Sequence, residues 1–471
     1  MTEPNTLLRI NRLSLRNFRC FAECSLELHP RLTVLVADNA GGKTALLDAL
    51  RLALNVFDTT MSRSKQGRGF EDTDVRLVRD AEGRMKEQLP TQFMAEGFIA
   101  DERLSWARSL EKTGPHARSS TKDTKAIRAA ALRLAAKPDV RENTKIDLPT
   151  ILPIVTYYGT GRLWDGSRQK EGPRWLAPSN PARTSVYIDG LSPSSSSYSS
   201  FITLYEETSE AIRDPRFKVV GREERPETHL AAVRDAVRSI LEPTGWTAID
   251  WEFAPKDADG HSQGRGYVVV EHSENGRLPL YQLSDGVRNM VSLIADLAYR
   301  CVRLNPHLGE EAARLTPGIL LIDEIDMHLH PRWQQLVVDL LQKTFPAMQM
   351  ILTTHSPQVL SSVNMESIRM INVVNGEGTT KAPEFQTRGV ESSDVLANIM
   401  GVNQVPQVEE SKWLNDYRAL IETGNQANPD GLALRSKLVS HFGSSHPLIL
   451  DCDRLIRFQD FKRRKPPAGQ E

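Results

Sequence analysis

Residues 8–17, LRINRLSLRN, alternate apolar and polar side chains, the two-residue period of a half-buried β-strand. Residues 25–28, SLEL, repeat that period. The run LTVLV at 32–36 is different: it is apolar throughout and rich in β-branched residues, which predicts a central strand covered on both faces. After a short glycine-containing stretch, TALLDALRLALNVF at 44–57 has helical spacing. Further along, LPIVTYYG (152–159), GYVVVEH (266–272), GILLID (318–323) and MQMILTTH (348–355) predict strands. Helical spacing marks 125–137, 200–213, 228–241 and 283–303, and most of 392–445. Between these segments, 58–150 is dense in Arg, Lys and Asp with repeated glycine, and predicts an insertion with mobile parts. The Pro- and Ser-rich stretch 178–200 predicts a flexible loop, and the tail FKRRKPPAGQE a disordered end. No internal repeat and no long heptad run is present.

Composition narrows the class. At 471 residues the chain can bury a full core plus one or two further subdomains. No apolar run reaches the roughly 18 residues that a membrane span needs. The start, MTEPNTLLRINRL, lacks the basic-then-apolar order of a secretory signal, and together these point to the cytoplasm. With 59 basic and 60 acidic side chains the net charge is −1, which argues against coating nucleic acid by bulk charge. Local basic clusters such as Arg76, Arg79 and Arg84, or Lys462 to Lys465, read as solvated faces. Cys20, Cys24, Cys301 and Cys452 form no CxxC pair and have no histidine placed to complete a zinc site, so they read as buried free thiols.

Four motifs carry candidate chemistry. Ala37 to Thr44, ADNAGGKT, lies between a buried strand and a helix, the context of a phosphate-binding loop. Asn39, Gly41 and Gly42 would turn backbone N–H groups toward phosphate, Lys43 would reach the outer phosphates, and Thr44 would ligate Mg²⁺ at the helix N-terminus. Ala37 stands where the pattern has glycine, which its Cβ tolerates if φ is negative. The strand 318–323 ends in Asp323-Glu324. Two acids at the end of a buried strand are costly unless solvated or ion-bound. Asp323 would hold the metal through water, and Glu324 would act as general base. His328 and His330 just beyond read as turn-capping or interface residues.

Leu283-Ser284-Asp285-Gly286-Val287-Arg288 resembles the signature of ABC-type ATPases, with Asp285 where many have glycine. Thr353-Thr354-His355-Ser356-Pro357 resembles the switch-histidine segment of the same enzymes, and Asn17-Phe18-Arg19 the N-terminal strand of SMC/RecF-type ATPases. Tyr157-Tyr158-Gly159-Thr160-Gly161-Arg162 stands where that superfamily keeps its Q-loop, without the glutamine. The resemblance implies an α/β fold: an ABC-type, RecF/SMC-like ATPase head with a mixed sheet, helical insertions and a helical C-terminal region. It implies ATP and Mg²⁺ as cofactors. Catalysis falls to Glu324 and His355, nucleotide binding to Asn39, Gly41, Gly42, Lys43, Thr44 and Arg19, and metal binding to Thr44 and Asp323. Ser284 and Gly286 would act in trans within a head-to-head dimer that holds two ATP molecules.

The implied organisation is 1–57 with the phosphate loop, insertion 58–150, return strand 151–165, helical insertion 166–265, 266–385 with the remaining motifs, and helical region 386–471. The segments SSDVLANIMGVNQVP, WLNDYRALIETGN and LRSKLVSHFGSSHPLILDCDRLIRF are similar to the C-terminal region of Septu-type and retron-associated antiphage ATPases. That likeness implies an ATPase that scaffolds and controls a separate HNH nuclease, in retron systems also with a reverse transcriptase and its RNA–DNA hybrid. Nuclease activity is not expected in this chain, because Asp451-Cys452-Asp453 lacks the upstream catalytic glutamate strand and the following chain of a Toprim. The alternative is a RecF-like DNA-repair ATPase that binds DNA directly.

Overall fold

A computed structural model describes residues 7–63, 69–114, 118–120, 122–136, 150–161, 183–188, 190–192, 197–213, 226–253, 266–403 and 405–464. Arg162, the tail 465–471 and much of the loop expected at 178–200 lie outside them. The chain divides into two compact units, Met1–Val395 and Leu396–Glu471.

The strands of the first unit, in chain order, are β1 (Leu8–Phe18), β2 (Phe21–Glu27), β3 (Leu32–Val36), β4 (Arg76–Arg79), β5 (Met85–Gln88), β6 (Thr91–Ile99), β7 (Glu102–Lys112), β8 (Arg118–Ser120) and β9 (Ile154–Tyr158). They continue with β10 (Trp246–Glu252), β11 (Tyr267–His272), β12 (Gly276–Pro279), β13 (Gly318–Ile322), β14 (Met348–Thr353), β15 (Ile368–Val374) and β16 (Glu377–Lys381). Eleven form one mixed sheet in the order β8-β7-β6-β1-β2-β16-β15-β3-β14-β13-β9. The run β15-β3-β14-β13-β9 is parallel. Every residue of β3, β9, β13 and β14 is buried, as their unbroken apolar runs predict. The wing β7-β6-β1-β2 is antiparallel, and β1 keeps its alternation of inward and outward residues.

Two helices matter most for the site. Lys43–Ser62 follows β3 directly, and Asp285–Leu304 is buried along most of its length. Helices Ser197–Arg213 and Pro226–Leu241 pack against the latter, and β10 to β12 form a separate three-stranded sheet. In the second unit, helices Glu409–Thr423, Pro429–Phe442 and Pro447–Arg464 close around Leu414, Tyr417, Ile421, Leu438, Ile449 and Cys452.

The structure departs from the sequence reading in four places. Within 58–150, β6 and β7 are not separate from the head: β6 pairs with β1 and lengthens the main sheet. Its inward residues Thr91, Phe93, Ala95 and Ile99 are buried while Met94 and Glu96 face outward, so composition hid an alternating strand. Strands β4, β5, β8, β10, β12, β15 and β16 also went unpredicted, and the last helix runs to Arg464 rather than ending near 445. Of the four free cysteines, Cys24, Cys301 and Cys452 are buried as expected, while Cys20 is half-buried. No described helix is long and apolar enough to cross a membrane.

Candidate nucleotide site

The parallel strands β3, β14, β13 and β9 end at one edge of the sheet, where ligands of open α/β sheets collect. Register places Leu35 beside Thr353, and Leu352 beside Ile322. The 37–44 loop, Asp323-Glu324, His355 and the tyrosine pair Tyr157-Tyr158 therefore lie at the ends of neighbouring strands.

The loop between Val36 and Lys43 owes its shape to two left-handed residues, Ala40 (φ 62°) and Gly42 (φ 91°). A Cβ on Gly42 would meet the Phe21 ring at 2.4 Å, and one on Gly41 would meet the Ala37 Cβ at 2.6 Å. Both glycines are thus required by space, and Gly42 also by its backbone. Ala37 is not among the left-handed residues, so its Cβ is tolerated there. The Lys43 ammonium donates to the carbonyls of Ala37 (2.7 Å) and Asp38 (3.1 Å), spanning the loop from within. Burial lowers its pKa, while Asp323, Glu324, Asp38 and Asp326 pull it back up, which is the field expected beside a cluster of acids. Asn39 and Thr44 are exposed at the loop surface.

The acids are held from β14. The Thr353 hydroxyl donates to Asp323 Oδ1 (2.6 Å) and accepts the Glu324 N–H (2.8 Å). The other Asp323 oxygen accepts from the Thr44 hydroxyl at 3.3 Å. Glu324 itself is left-handed (φ 49°). Next in line, the Thr354 hydroxyl donates to Asp326 Oδ1 (2.6 Å). His355 follows, half-buried, and the Ser356 hydroxyl donates to Gln334 Oε1 (2.8 Å). Gln334 Nε2 in turn donates to the Leu329 carbonyl (2.9 Å), which ties the 326–329 turn to the histidine segment. His330 caps the short helix Pro331–Gln334, its Nδ1 accepting from Arg332 N–H, in line with its expected capping role.

Ser284 caps the helix Asp285–Leu304 with its backbone, and its exposed hydroxyl makes no capping bond. Gly286 is buried against the 327–329 turn, where a Cβ would stand 2.5 Å from the His328 carbonyl oxygen. Asn289 Nδ2 donates to the Met327 carbonyl of the same turn (3.3 Å). Arg19 lies differently from the rest of the site. Its guanidinium pairs with Asp48 (2.7 Å), one helical turn beyond Thr44, and with Asp74 (2.9 Å). Its charge is taken up by these two carboxylates beside the loop.

The geometry thus brings together Lys43, Thr44, Asp323 and Glu324. Thr44 and Asp323 offer a hydroxyl and a carboxylate oxygen to one point, a donor pair that suits Mg²⁺, which keeps several waters and takes phosphate oxygens. Sequence reasoning missed Thr353, Thr354 and Tyr158 as positioning groups. The Thr-Thr pair before His355 was the available signal.

Residues 32–361 match the family described as "AAA domain, putative AbiEii toxin, Type IV TA system". The "Retron Ec83 probable ATPase" of Escherichia coli is 35% identical over 239 residues, which is 50% of this chain and 41% of that protein. The "Retron Vc95 probable ATPase" of Vibrio cholerae is 24% identical over 462 residues, 90% of this chain and 85% of that one. The "Septu protein PtuA" of Bacillus thuringiensis is 22% identical over 164 residues, 34% of this chain and 41% of that one. The match to the first and third of these thus spans less than half of their length. With well over half of its length matched and its phosphate loop, paired acids and histidine gathered at one sheet edge, the chain belongs to this AAA-domain family.

Proposed function

We propose that the chain binds ATP with Mg²⁺ and hydrolyses it, as the ATPase subunit of a cytoplasmic antiphage defence complex that controls a separate nuclease. The observation that carries the catalytic part is the continuous chain Thr44–Asp323–Thr353–Glu324, with Lys43 beside it. In this reading the loop N–H groups and Lys43 hold the phosphates. Thr44 and Asp323 would hold the ion, which would supply positive charge beside the phosphoryl oxygens. Glu324 takes the proton of the attacking water, and His355 contacts the γ-phosphate at the end of the neighbouring strand. Ser284 and Gly286 of a second copy close the site from the opposite side, so that ATP joins two heads and its hydrolysis releases them. Arg19 contributes by fixing Asp48 on the phosphate-loop helix, next to the bound nucleotide. The retron and Septu relatives support the defence setting, and the resemblance of the C-terminal region supports an HNH nuclease partner, with a reverse transcriptase and its RNA–DNA hybrid in a retron setting.

Glu324→Gln tests the chemistry. It keeps the shape of the side chain and removes the base, so ATP binding persists while turnover falls by about 100-fold or more. Unchanged turnover would remove Glu324 from that role. Isolation of the intact complex from cells, followed by mass spectrometry and nucleic-acid extraction, tests the setting. A nuclease in the complex supports it; DNA alone, bound tightly and lost with rising salt, would move the chain to the repair ATPases.

A further inference from the structure

The tyrosine pair at the end of β9 stands where a Q-loop glutamine is absent. Successive side chains of a strand point to opposite faces, so Tyr157 and Tyr158 reach different neighbours. Tyr157 lies under the Arg51 guanidinium, 4.3 Å from its carbon to the ring centre. Arg51 pairs with Asp48 on the phosphate-loop helix. Tyr158 reaches the helix that begins at the signature: its hydroxyl donates to Asp296 Oδ2 at 2.8 Å. Arg300 Nε, one turn further along that helix, donates to the same oxygen at 2.9 Å, and Arg300 Nη1 donates to the Val186 carbonyl at 3.1 Å.

Tyr158, Asp296 and Arg300 are each at most 3% exposed. Asp296 Oδ1 accepts no hydrogen bond from the described residues. Burial, and next the Asp296 carboxylate, push the Tyr158 phenol well above its ordinary pKa, so it remains a donor. A buried ion pair of this kind is often no more stabilising than apolar side chains of the same volume. Its value here lies in what it connects. The Tyr158 carbonyl accepts the Asp323 N–H at 2.9 Å. One residue therefore holds the metal-binding acid with its main chain and the signature helix with its side chain.

We infer that Tyr158 is a positioning residue that couples the signature helix, through Asp296, to the strand end carrying Asp323. This inference rests on the ATPase reading. The Tyr158 carbonyl holds the Asp323 N–H and its hydroxyl holds Asp296, so the strand end at Asp323 and the helix that begins after Ser284 are fixed to one residue. Tyr158 touches neither nucleotide nor metal. Its loss leaves a head that binds ATP but presents Ser284 poorly.

Tyr158→Phe in the full chain keeps the ring and the carbonyl and removes only the hydroxyl. The expected result is a kcat lowered about tenfold with KM for ATP within about twofold. Asp296→Asn lowers kcat as well, and the double variant falls no further than the lower of the two, because both break one link. Additive losses, an unchanged kcat, or a loss of kcat matched by an equal loss of ATP affinity would overturn the proposal. If Tyr158→Phe does not fold, Asp296→Asn alone carries the same comparison of kcat with KM. A second readout does not need hydrolysis. In the Glu324→Gln background, ATP-dependent dimerisation should require about tenfold more protein when Tyr158→Phe is added, at unchanged ATP binding to the single head. Equal dimerisation would overturn the coupling. Absence of hydrolysis in the unmodified chain would count against the ATPase reading instead.

Discussion

At the scale of single residues, the paired acids of the site are held by hydroxyl groups. Thr353 is fully buried and meets two acids at once, donating to the Asp323 carboxylate and accepting from the Glu324 backbone. Glu324 sits in the left-handed region, which a residue with a Cβ adopts at a cost of about 1–3 kcal/mol. The N–H bond to Thr353 is part of what holds it there. Thr353→Val keeps nearly the same volume and removes the hydroxyl. Each lost buried hydrogen bond costs about 1–3 kcal/mol, enough to lower turnover about 10- to 100-fold if the carboxylates drift from their aim. ATP binding, which the proposed function assigns to the loop and Lys43, should change little. Steady-state kinetics beside equilibrium nucleotide binding would check this. Equal losses in both would make Thr353 a structural residue of the head and nothing more. The placement of the lysine, the loop glycines and the two acids at strand ends was legible in the sequence, because each directly follows an unbroken apolar run. The threonines were not legible. A hydroxyl at the end of a buried strand reads as an ordinary strand residue until the neighbouring strand is known, and the Thr353–Asp323 contact joins positions 30 apart.

At the scale of elements, the buried strands and the two long helices were predictable because unbroken apolar runs and helical spacing survive any surrounding composition. β6 was not: its alternation runs through a charged stretch, and its partner β1 lies more than 70 positions upstream. β15 and β16 are short and half-exposed, so their pattern carries little signal. The packing of the signature helix was equally hidden, and it has a consequence for function. Gly286 lies so near the His328 carbonyl that an added Cβ would stand 2.5 Å away, and the obstacle is backbone rather than a flexible side-chain end. Gly286→Ala must therefore push the first turn of Asp285–Leu304 away from the 327–329 turn. Such overpacking costs about 1–3 kcal/mol, felt at the point where the helix presents Ser284. The expected outcome is turnover lowered about tenfold, with binding of ATP to a single head preserved. A variant that dimerises and turns over normally would show that the helix start can shift without consequence.

At the scale of the whole molecule, the sequence holds one segment that resembles a phosphate loop and one that resembles a signature, and Gly286 of the latter packs against the 327–329 turn of the same chain. If the signature serves the loop of a second copy, two chains with different lesions should repair each other. Lys43→Ala removes the phosphate-binding charge and leaves the signature intact. Ser284→Arg blocks the exposed signature position and leaves the loop intact. Each variant alone has two damaged sites per dimer and should be inactive. In a mixed dimer, the loop of the Ser284→Arg chain meets the signature of the Lys43→Ala chain, which restores one complete site, while the second site collects both lesions. Random reassortment makes half of the dimers mixed, each with one of its two sites intact, so activity should return to about a quarter of the unmodified level. That figure follows from the symmetry of the pair and not from the strength of any contact. Measuring phosphate release across a titration of one variant into the other would give a bell-shaped curve with its maximum near equal amounts. A flat baseline at every ratio, with dimers shown to form, would mean that each signature acts on the nucleotide of its own chain. The head would then work as a single unit, and the pairing of two heads around ATP would have to be abandoned.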